Sequence, residues 1–332
     1  MEEPSKATRI LTELLAAGDE FVSGNDLADK LGISRVSIWG HMEKMRSKGF
    51  EFDATRSKGY RLVKKPDTLN QELIQAYLPK PAATLRIEFH EELDSTNTEA
   101  ERQLANGDAD PFVVIARRQT AGRGRLGREW HSQDNGNLYA TFAFRPEISP
   151  ARLSTFTLWM GVNLAVCINA FCRLDAKVKW PNDLLINGKK AAGILTEARM
   201  DADQTRDLIL GIGLNINGGA DDFPEELSSI ATSLRQAVGN PIDANRLTAA
   251  LAGRVALAYK RFVENDHWND LKTLWAELDA LRDQSVSLIQ GQARISGIAR
   301  GIDANGALIL EREDGSHFHA RAGEVTLEKP TG

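Results

Sequence analysis

Nine consecutive residues, Gly122 to Trp130, read GRGRLGREW and put three glycines and three arginines into one run entered through Arg118-Gln119-Thr120. Glycine lets backbone N–H groups turn together toward a ligand, and guanidinium forks add bidentate positive charge, so the pattern suits a phosphate or a carboxylate. It is neither a GxxxxGK[ST] phosphate loop nor a dinucleotide fingerprint, because arginines occupy the Gly122/Gly124/Gly127 frame and no helical pattern follows. Alone, the same residues would also serve as a basic, flexible surface loop. Four further polar groups surround it: Asp94-Ser95-Thr96-Asn97, Lys179-Trp180-Pro181-Asn182-Asp183, Lys189-Lys190-Ala191-Ala192-Gly193-Ile194-Leu195 and Gly211-Ile212-Gly213-Leu214-Asn215-Ile216-Asn217.

In this order the five pieces resemble the catalytic domain of the biotin protein ligases, also called biotin–[acetyl-CoA-carboxylase] ligases. The resemblance covers nearly the whole chain and, through an N-terminal helix-turn-helix, points to the bifunctional bacterial form that also represses the biotin operon. It implies that biotin attacks the α-phosphorus of ATP, that pyrophosphate leaves, and that biotinoyl-5′-AMP passes biotin to a lysine of the biotin carboxyl carrier protein. Holding two anions together requires fixed cations and N–H dipoles in a site closed to water, a need that Arg123, Arg125, Arg128, Lys179 and Lys190 match. The resemblance assigns Lys190 to the biotin carboxylate and the developing acyl phosphate. Arg123 and Lys179 join it as catalytic groups, and Asp183 positions or deprotonates the incoming lysine amine.

By the same resemblance the biotin contacts fall on Ser95, Thr96, Asn97, Gln119, Gly122, Arg123, Arg125, Lys190 and Gly193. Those of ATP or the adenylate fall on Arg125, Arg128, Trp130, Asn182 and Asn215, with Trp130 packed against adenine. Magnesium is expected with ATP, held by phosphate oxygens and water rather than by a protein motif. Read residue by residue, Lys190 beside Lys189 is also a solvated lysine after a turn, and Ser95 and Thr96 also suit a helix N-cap. Leu126 in place of a fourth arginine and Leu185 after the WPND motif are mild departures from the family pattern. Two other readings stand beside it: a lipoate-type ligase, whose fatty substrate needs an apolar slot, and a ligand-sensing repressor without ligase activity, which would have lost its reactive groups.

A chain of 332 residues exceeds one ordinary core, and 42% hydrophobic with 26% charged residues is the balance of a soluble globular protein. A net charge of −5 excludes a uniformly basic nucleic-acid coat, so DNA contact must be local; residues 1–65 carry twelve Lys/Arg against ten Asp/Glu. Cys167 and Cys172 suit neither a zinc site nor a disulfide frame and read as reduced residues of a cytoplasmic core. No signal peptide pattern opens the chain, and Leu153 to Cys172, uncharged for about twenty residues, reads as a buried helix rather than a membrane anchor.

Helical spacing of Ile10, Leu11, Leu14 and Leu15 predicts a helix over Lys6 to Ala17, followed by Asn25 to Leu31, a turn at Gly32-Ile33, and a third helix capped by Ser34 and stopped by Gly49. In such a helix-turn-helix Arg35, Ser37 and Trp39 to His41 approach base edges, while Lys44, Arg46 and Lys48 meet phosphates. A hairpin with Arg56-Ser57-Lys58 at its tip supplies a wing, making Arg56 and Lys58 further DNA contacts. A helical domain with a merely solvated basic face is the plainer alternative. Boundaries fall at 1–65, 66–282 and 283–332. Strands and helices alternate in the middle part, and Asn187-Gly188 signals a type I′ hairpin, so the class is α+β with a partly antiparallel sheet. The family resemblance makes this a class II-synthetase-like ligase domain and the last part, with its short evenly spaced strands, an SH3-like β-barrel. His317 and His319 share a strand face, yet with no partner nearby in sequence they are not expected to bind a metal. The resemblance also implies a homodimer formed on binding biotinoyl-5′-AMP, through pairing of central sheet edges, and operator DNA as a partner.

Overall fold

The computed structural model describes residues 4–82, 85–108, 111–201 and 203–328. Three helices open it: α1 (Lys6–Ala17), α2 (Gly24–Leu31) and α3 (Arg35–Arg46). Each begins where a serine hydroxyl accepts an otherwise unpaired backbone N–H: Ser5 from Thr8, Ser23 from Asn25 and Ser34 from Ser37. Gly32, at φ 63°, supplies the left-handed turn between α2 and α3. The antiparallel hairpin β1 (Glu51–Thr55) and β2 (Gly59–Lys64) completes a winged unit. Ile10, Leu11, Leu14, Leu27, Ile38 and Met42 form its core.

Helix α4 (Gln71–Tyr77) lies between this unit and the next and serves both: Leu73 is buried in the N-terminal cluster and Ile74 in the large central one. Lys65 bridges to Asp243 at 2.8 Å and Lys48 to Glu72 across the same seam.

The central part contains β3 (Arg86–Leu93), α5 (Thr96–Ala105), β4 (Phe112–Gln119), β5 (Leu138–Phe144), α6 (Phe156–Cys172), β6 (Lys177–Lys179), β7 (Asp183–Ile186), β8 (Lys189–Asp201) and β9 (Gln204–Leu214). Its sheet has the order β3-β4-β5-β9-β8-β7-β6, with β3 and β4 parallel and every other pair antiparallel, which is the mixed α+β sheet expected. Asn187 and Gly188 turn the β7–β8 hairpin with φ of 51° and 77°, as a type I′ turn demands. The short helices α7 (Glu225–Ser228) and α8 (Leu234–Val238) precede α9 (Ala244–Val263) and α10 (Trp268–Leu278). The uncharged α6 packs into the central core with α9 and α10, burying Phe156, Trp159, Met160, Val162 and Leu164. Its thiols, Cys167 and Cys172, are unpaired, and burial pushes both up to about 11, so they are protonated and unreactive at neutral pH.

The last part is a five-stranded antiparallel sheet of β10 (Ser285–Gln290), β11 (Ala293–Ile302), β12 (Leu308–Glu311), β13 (His317–Ala320) and β14 (Glu324–Leu327), ordered β13-β12-β11-β10-β14. Val286, Leu288, Leu308 and Leu310 run into the same apolar cluster as the central sheet, and Trp180 Nε1 donates to the Gly306 carbonyl at 3.1 Å. The C-terminal sheet is thereby held against the central one.

Candidate functional site

The C-terminal end of β4, the start of α5 and the ends of β6 to β9 converge on one cavity of about 270 Å³. Its floor is made by glycine. A Cβ on Gly193 would stand 2.8 Å from Trp130 Cζ3, one on Gly213 2.5 Å from Trp130 Nε1, and one on Gly211 would strike the Asn97 amide. Only bare backbone therefore lets the Trp130 indole lie against β8 and β9. Gly122 is equally constrained, because its Cβ would fall 2.5 Å from both Ser132 Oγ and the Trp130 carbonyl.

Over the β3 and β4 side of this floor stand neutral polar groups. Gln119 Oε1 accepts from the Thr96 backbone at 2.8 Å and from its hydroxyl at 3.1 Å, while Gln119 Nε2 donates to Ser132 Oγ at 2.8 Å. The buried Thr141 hydroxyl joins Thr96 and Asn97, and Asn97 Nδ2 donates to Glu197 at 2.7 Å. Each of these side chains fixes its neighbour, so the donors and acceptors are pre-oriented. Ser95 is buried on the cavity wall at the head of α5, and its side chain makes no capping bond, which departs from the N-cap expectation.

Cations occupy the β6 and β7 side. Lys190 Nζ lies 2.7 Å from Asp183 Oδ1 and 5.2 Å from the centre of the Trp130 ring, whereas Lys189 on the other face of β8 is exposed. Lys179 and Arg125 line the wall with no carboxylate within ion-pair distance among the described residues. Burial holds both below their ordinary values, only partly offset by the charge of Asp183. Arg125 Nη1 donates to Asn182 Oδ1 at 3.1 Å, and Asn182 Nδ2 to the Ile194 carbonyl at 2.8 Å. Asn182 follows a cis Trp180-Pro181 bond.

The structure places the remaining expected site residues differently from one another. Arg123 lines the cavity engaged by Glu197, Glu101 and Thr98, and Arg128 lines it with one nitrogen 2.5 Å from Glu324, so an anion reaching either would compete with a carboxylate of the chain. Asn215 is away from the cavity: its Nδ2 donates to the Thr232 carbonyl and its N–H to Ala191. Gly122 supports the loop from behind rather than lining the cavity wall. Sequence reasoning missed Thr141, Ser132, Glu197 and Glu324. Glu324 belongs to β14, and Val325 and Thr326 line the cavity with it.

On α3, Arg35, Trp39 and Lys44 are exposed, and Ser37 and His41 are half-buried, with burial and nearby Lys44 and Lys6 holding the His41 ring below its ordinary value. Arg46 pairs with Glu43 and donates to the Phe52 carbonyl at 3.2 Å, while Lys48 pairs with Glu72, so the phosphate role expected of these two would require them to exchange partners. Arg56 and Lys58 are exposed at the hairpin tip. His319 Nδ1 meets Asp303 at 2.7 Å, a partner not anticipated, and no group of three metal-ligating side chains occurs among the described residues.

A glycine-floored cavity in a mixed sheet, entered by an arginine loop and coupled to a winged helix, defines a class that comparison confirms. Residues 89–215 match the biotin/lipoate A/B protein ligase family, 6–61 an HTH domain, and 283–327 the biotin protein ligase C-terminal domain. The bifunctional ligase/repressor BirA of Bacillus subtilis is 38% identical over 92% of this chain and 94% of its own length. That of Escherichia coli is 34% identical over 96% of each. A biotin protein ligase from Aquifex aeolicus, solved in complex with biotin and ATP, superimposes with a TM-score of 0.62 at 28% identity, covering 74% of this chain and 99% of that one. The chain belongs to the bifunctional biotin protein ligase/repressor family.

Proposed function

We propose that the chain activates biotin with ATP to biotinoyl-5′-AMP and transfers it to a lysine of a biotin carboxyl carrier protein, the adenylate also acting as corepressor of biotin biosynthesis. The observation that carries the ligase reading is the division of one cavity. Oriented neutral groups (Ser95, Thr96, Asn97, Gln119) stand at one side, Lys179, Lys190 and Arg125 at the other, with glycines between. A ligand with a neutral hydrogen-bonding ring and a carboxylate fits that division, whereas the fatty tail of lipoate finds polar groups where it needs an apolar slot.

In this reading Lys190 neutralises the carboxylate oxygen as it attacks the α-phosphorus, and Lys179 and Arg125 take the phosphate charge as pyrophosphate departs. Asp183, released from Lys190 when that ammonium turns to the ligand, is the carboxylate placed to accept a proton from the acceptor lysine. Magnesium enters on the ATP phosphates, since the described residues build no protein cage for it. The place of action is the cytoplasm.

The regulatory half rests on the winged helix. The adenylate orders the Arg123 to Arg128 segment, favours a homodimer, and two α3 helices then reach two half-sites of one operator. Pyrophosphate release measured with biotin against lipoate tests the ligase half, and release on lipoate alone would reverse the substrate assignment. Sedimentation with and without biotin plus ATP tests the other half; a protein that stays monomeric and binds DNA equally in both states removes it.

A further inference from the structure

Two of the basic residues at and just past the C-terminal end of α3 are engaged within the protein, Arg46 by Glu43 and Phe52 and Lys48 by Glu72, while Lys44 is exposed. Much of what α3 turns outward is apolar. With Ile38, Met42 and Met45 buried, the opposite face carries Val36, Trp39, Gly40 and Glu43 at i, i+3, i+4 and i+7. Val36 is 77% and Trp39 56% exposed. Gly40 between them is unexpected, because glycine destabilises a helix interior relative to alanine. Its φ is not positive, and a Cβ there would meet nothing within 4 Å. Neither backbone geometry nor internal packing requires glycine, so the room it leaves serves something outside the chain.

We propose that Val36, Gly40 and Trp39 form a notch that receives the C5 methyl group of a thymine when α3 lies in the major groove. This rests on the DNA-binding reading above and adds the chemistry of its specificity. The charges around the notch fit a duplex. Arg35 and Lys44 are exposed on either flank of the same face, and Arg56 and Lys58 at the wing tip, where they suit phosphates on both sides of the groove. Within that groove the thymine methyl is the apolar group a base pair displays. A second copy of the chain would instead bring these cations against one another.

The test uses the full-length protein with biotin, ATP and magnesium. Duplexes enriched from a random-sequence pool are remade with single thymines replaced by deoxyuridine, which removes the methyl and leaves the hydrogen-bonding edges. At least one thymine per half-site should lose about fourfold in affinity, the worth of one buried methyl-sized group. That penalty should vanish in Val36→Ala. Gly40→Ala should raise the thermal midpoint, because a better helix former meets no clash, while weakening binding to the enriched duplex by about fourfold or more. Deoxyuridine without effect at every position, or with the same effect in Val36→Ala, overturns the proposal, as does Gly40→Ala binding as tightly as the parent. Failure to enrich any sequence refutes the DNA reading itself. A Val36→Ala protein whose monomer–dimer balance shifts while the methyl dependence persists would assign the face to a protein interface and overturn the notch.

Discussion

Replacing Lys190 with Met removes an ammonium and little else. The backbone of this residue is held regardless of its side chain: its N–H donates to the Ile230 carbonyl at 2.7 Å, and its carbonyl accepts from Thr232 at 2.9 Å. The unbranched methionine side chain can follow the same course past Trp130, over whose ring Nζ now lies at 5.2 Å. The folding cost is loss of a part-exposed pair with Asp183, about 1 kcal/mol or less. The catalytic cost is loss of a fixed charge where negative charge develops. That is worth about 2.7 to 4 kcal/mol, a fall of roughly a hundredfold or more in adenylate formation. Biotin affinity should fall far less, since the groups around Gln119 are untouched. Single-turnover pyrophosphate release, biotin titration and a thermal melt separate the three quantities. A variant that makes the adenylate at the parental rate makes Lys190 a surface lysine and moves the catalytic charge to Lys179. Equal losses in affinity and kcat/KM with kcat preserved would mean that it binds ground state and transition state alike.

Gly213→Ala should drive the Trp130 indole off the floor, weakening biotin binding by about tenfold, and unaltered affinity and tryptophan emission would show that the floor yields. Acid should destabilise the fold through His267, which is buried against Trp159 and Phe262 with Nδ1 unpartnered. Burial, then Arg152 and Arg261, lower its pKa in the folded state, so the unfolded chain binds the proton first. Stability is then full above the unfolded value of about 6.5 and is lost below it, by at most about 1.4 kcal/mol per pH unit. Denaturant titrations from pH 7.5 to 5.5 should show this loss in the parent and less of it in His267→Phe; equal losses refute it. Deleting residues 1–65 should leave turnover intact, because no described residue before Ser95 lines the cavity, yet lower the thermal midpoint by uncovering Leu73, about 2 kcal/mol of burial. A folded truncation without turnover would give the N-terminal domain a second role.

Local patterns were the legible part of this chain. Helices α9 and α10 begin and end where their apolar periodicity begins and ends, and the serine caps of the winged unit mark its helices within a residue or two. The long hairpin was only half visible. Short apolar runs mark strands over Ala192 to Glu197 and Leu208 to Gly213, but β8 runs to Asp201 and β9 starts at Gln204, because backbone pairing continues through exposed, charged residues that carry no apolar signal. What was hidden is non-local. Arg123 and Glu197 are 74 residues apart and Arg128 and Glu324 are 196 apart, and nothing in either neighbourhood marks one as the partner of the other. Asn215 is the converse case, since its local motif carries the family pattern while its side-chain amide holds the Thr232 carbonyl.

Those hidden pairs change how the arginine loop must work. Five cations were expected to attract anions, and three already meet a carboxylate of the same chain: Arg123 with Glu197, Arg128 with Glu324, Lys190 with Asp183. A cluster of unpaired cations in a partly closed site would repel itself and lose hydration, so internal carboxylates lower the cost of keeping the empty site folded. A ligand anion that reaches Lys190 or Arg128 therefore exchanges partners and gains only the difference between two pairs. Lys179 and Arg125 have no carboxylate at ion-pair distance among the described residues, and burial, offset in part by the charges of Asp183 and Glu324, holds both below their ordinary values. Charge delivered there relieves an existing deficit. The largest electrostatic gain on binding thus falls beside Asn182 and Asp183, on the cationic side of the cavity, while the neutral groups around Gln119 decide which molecule is held in place to receive it.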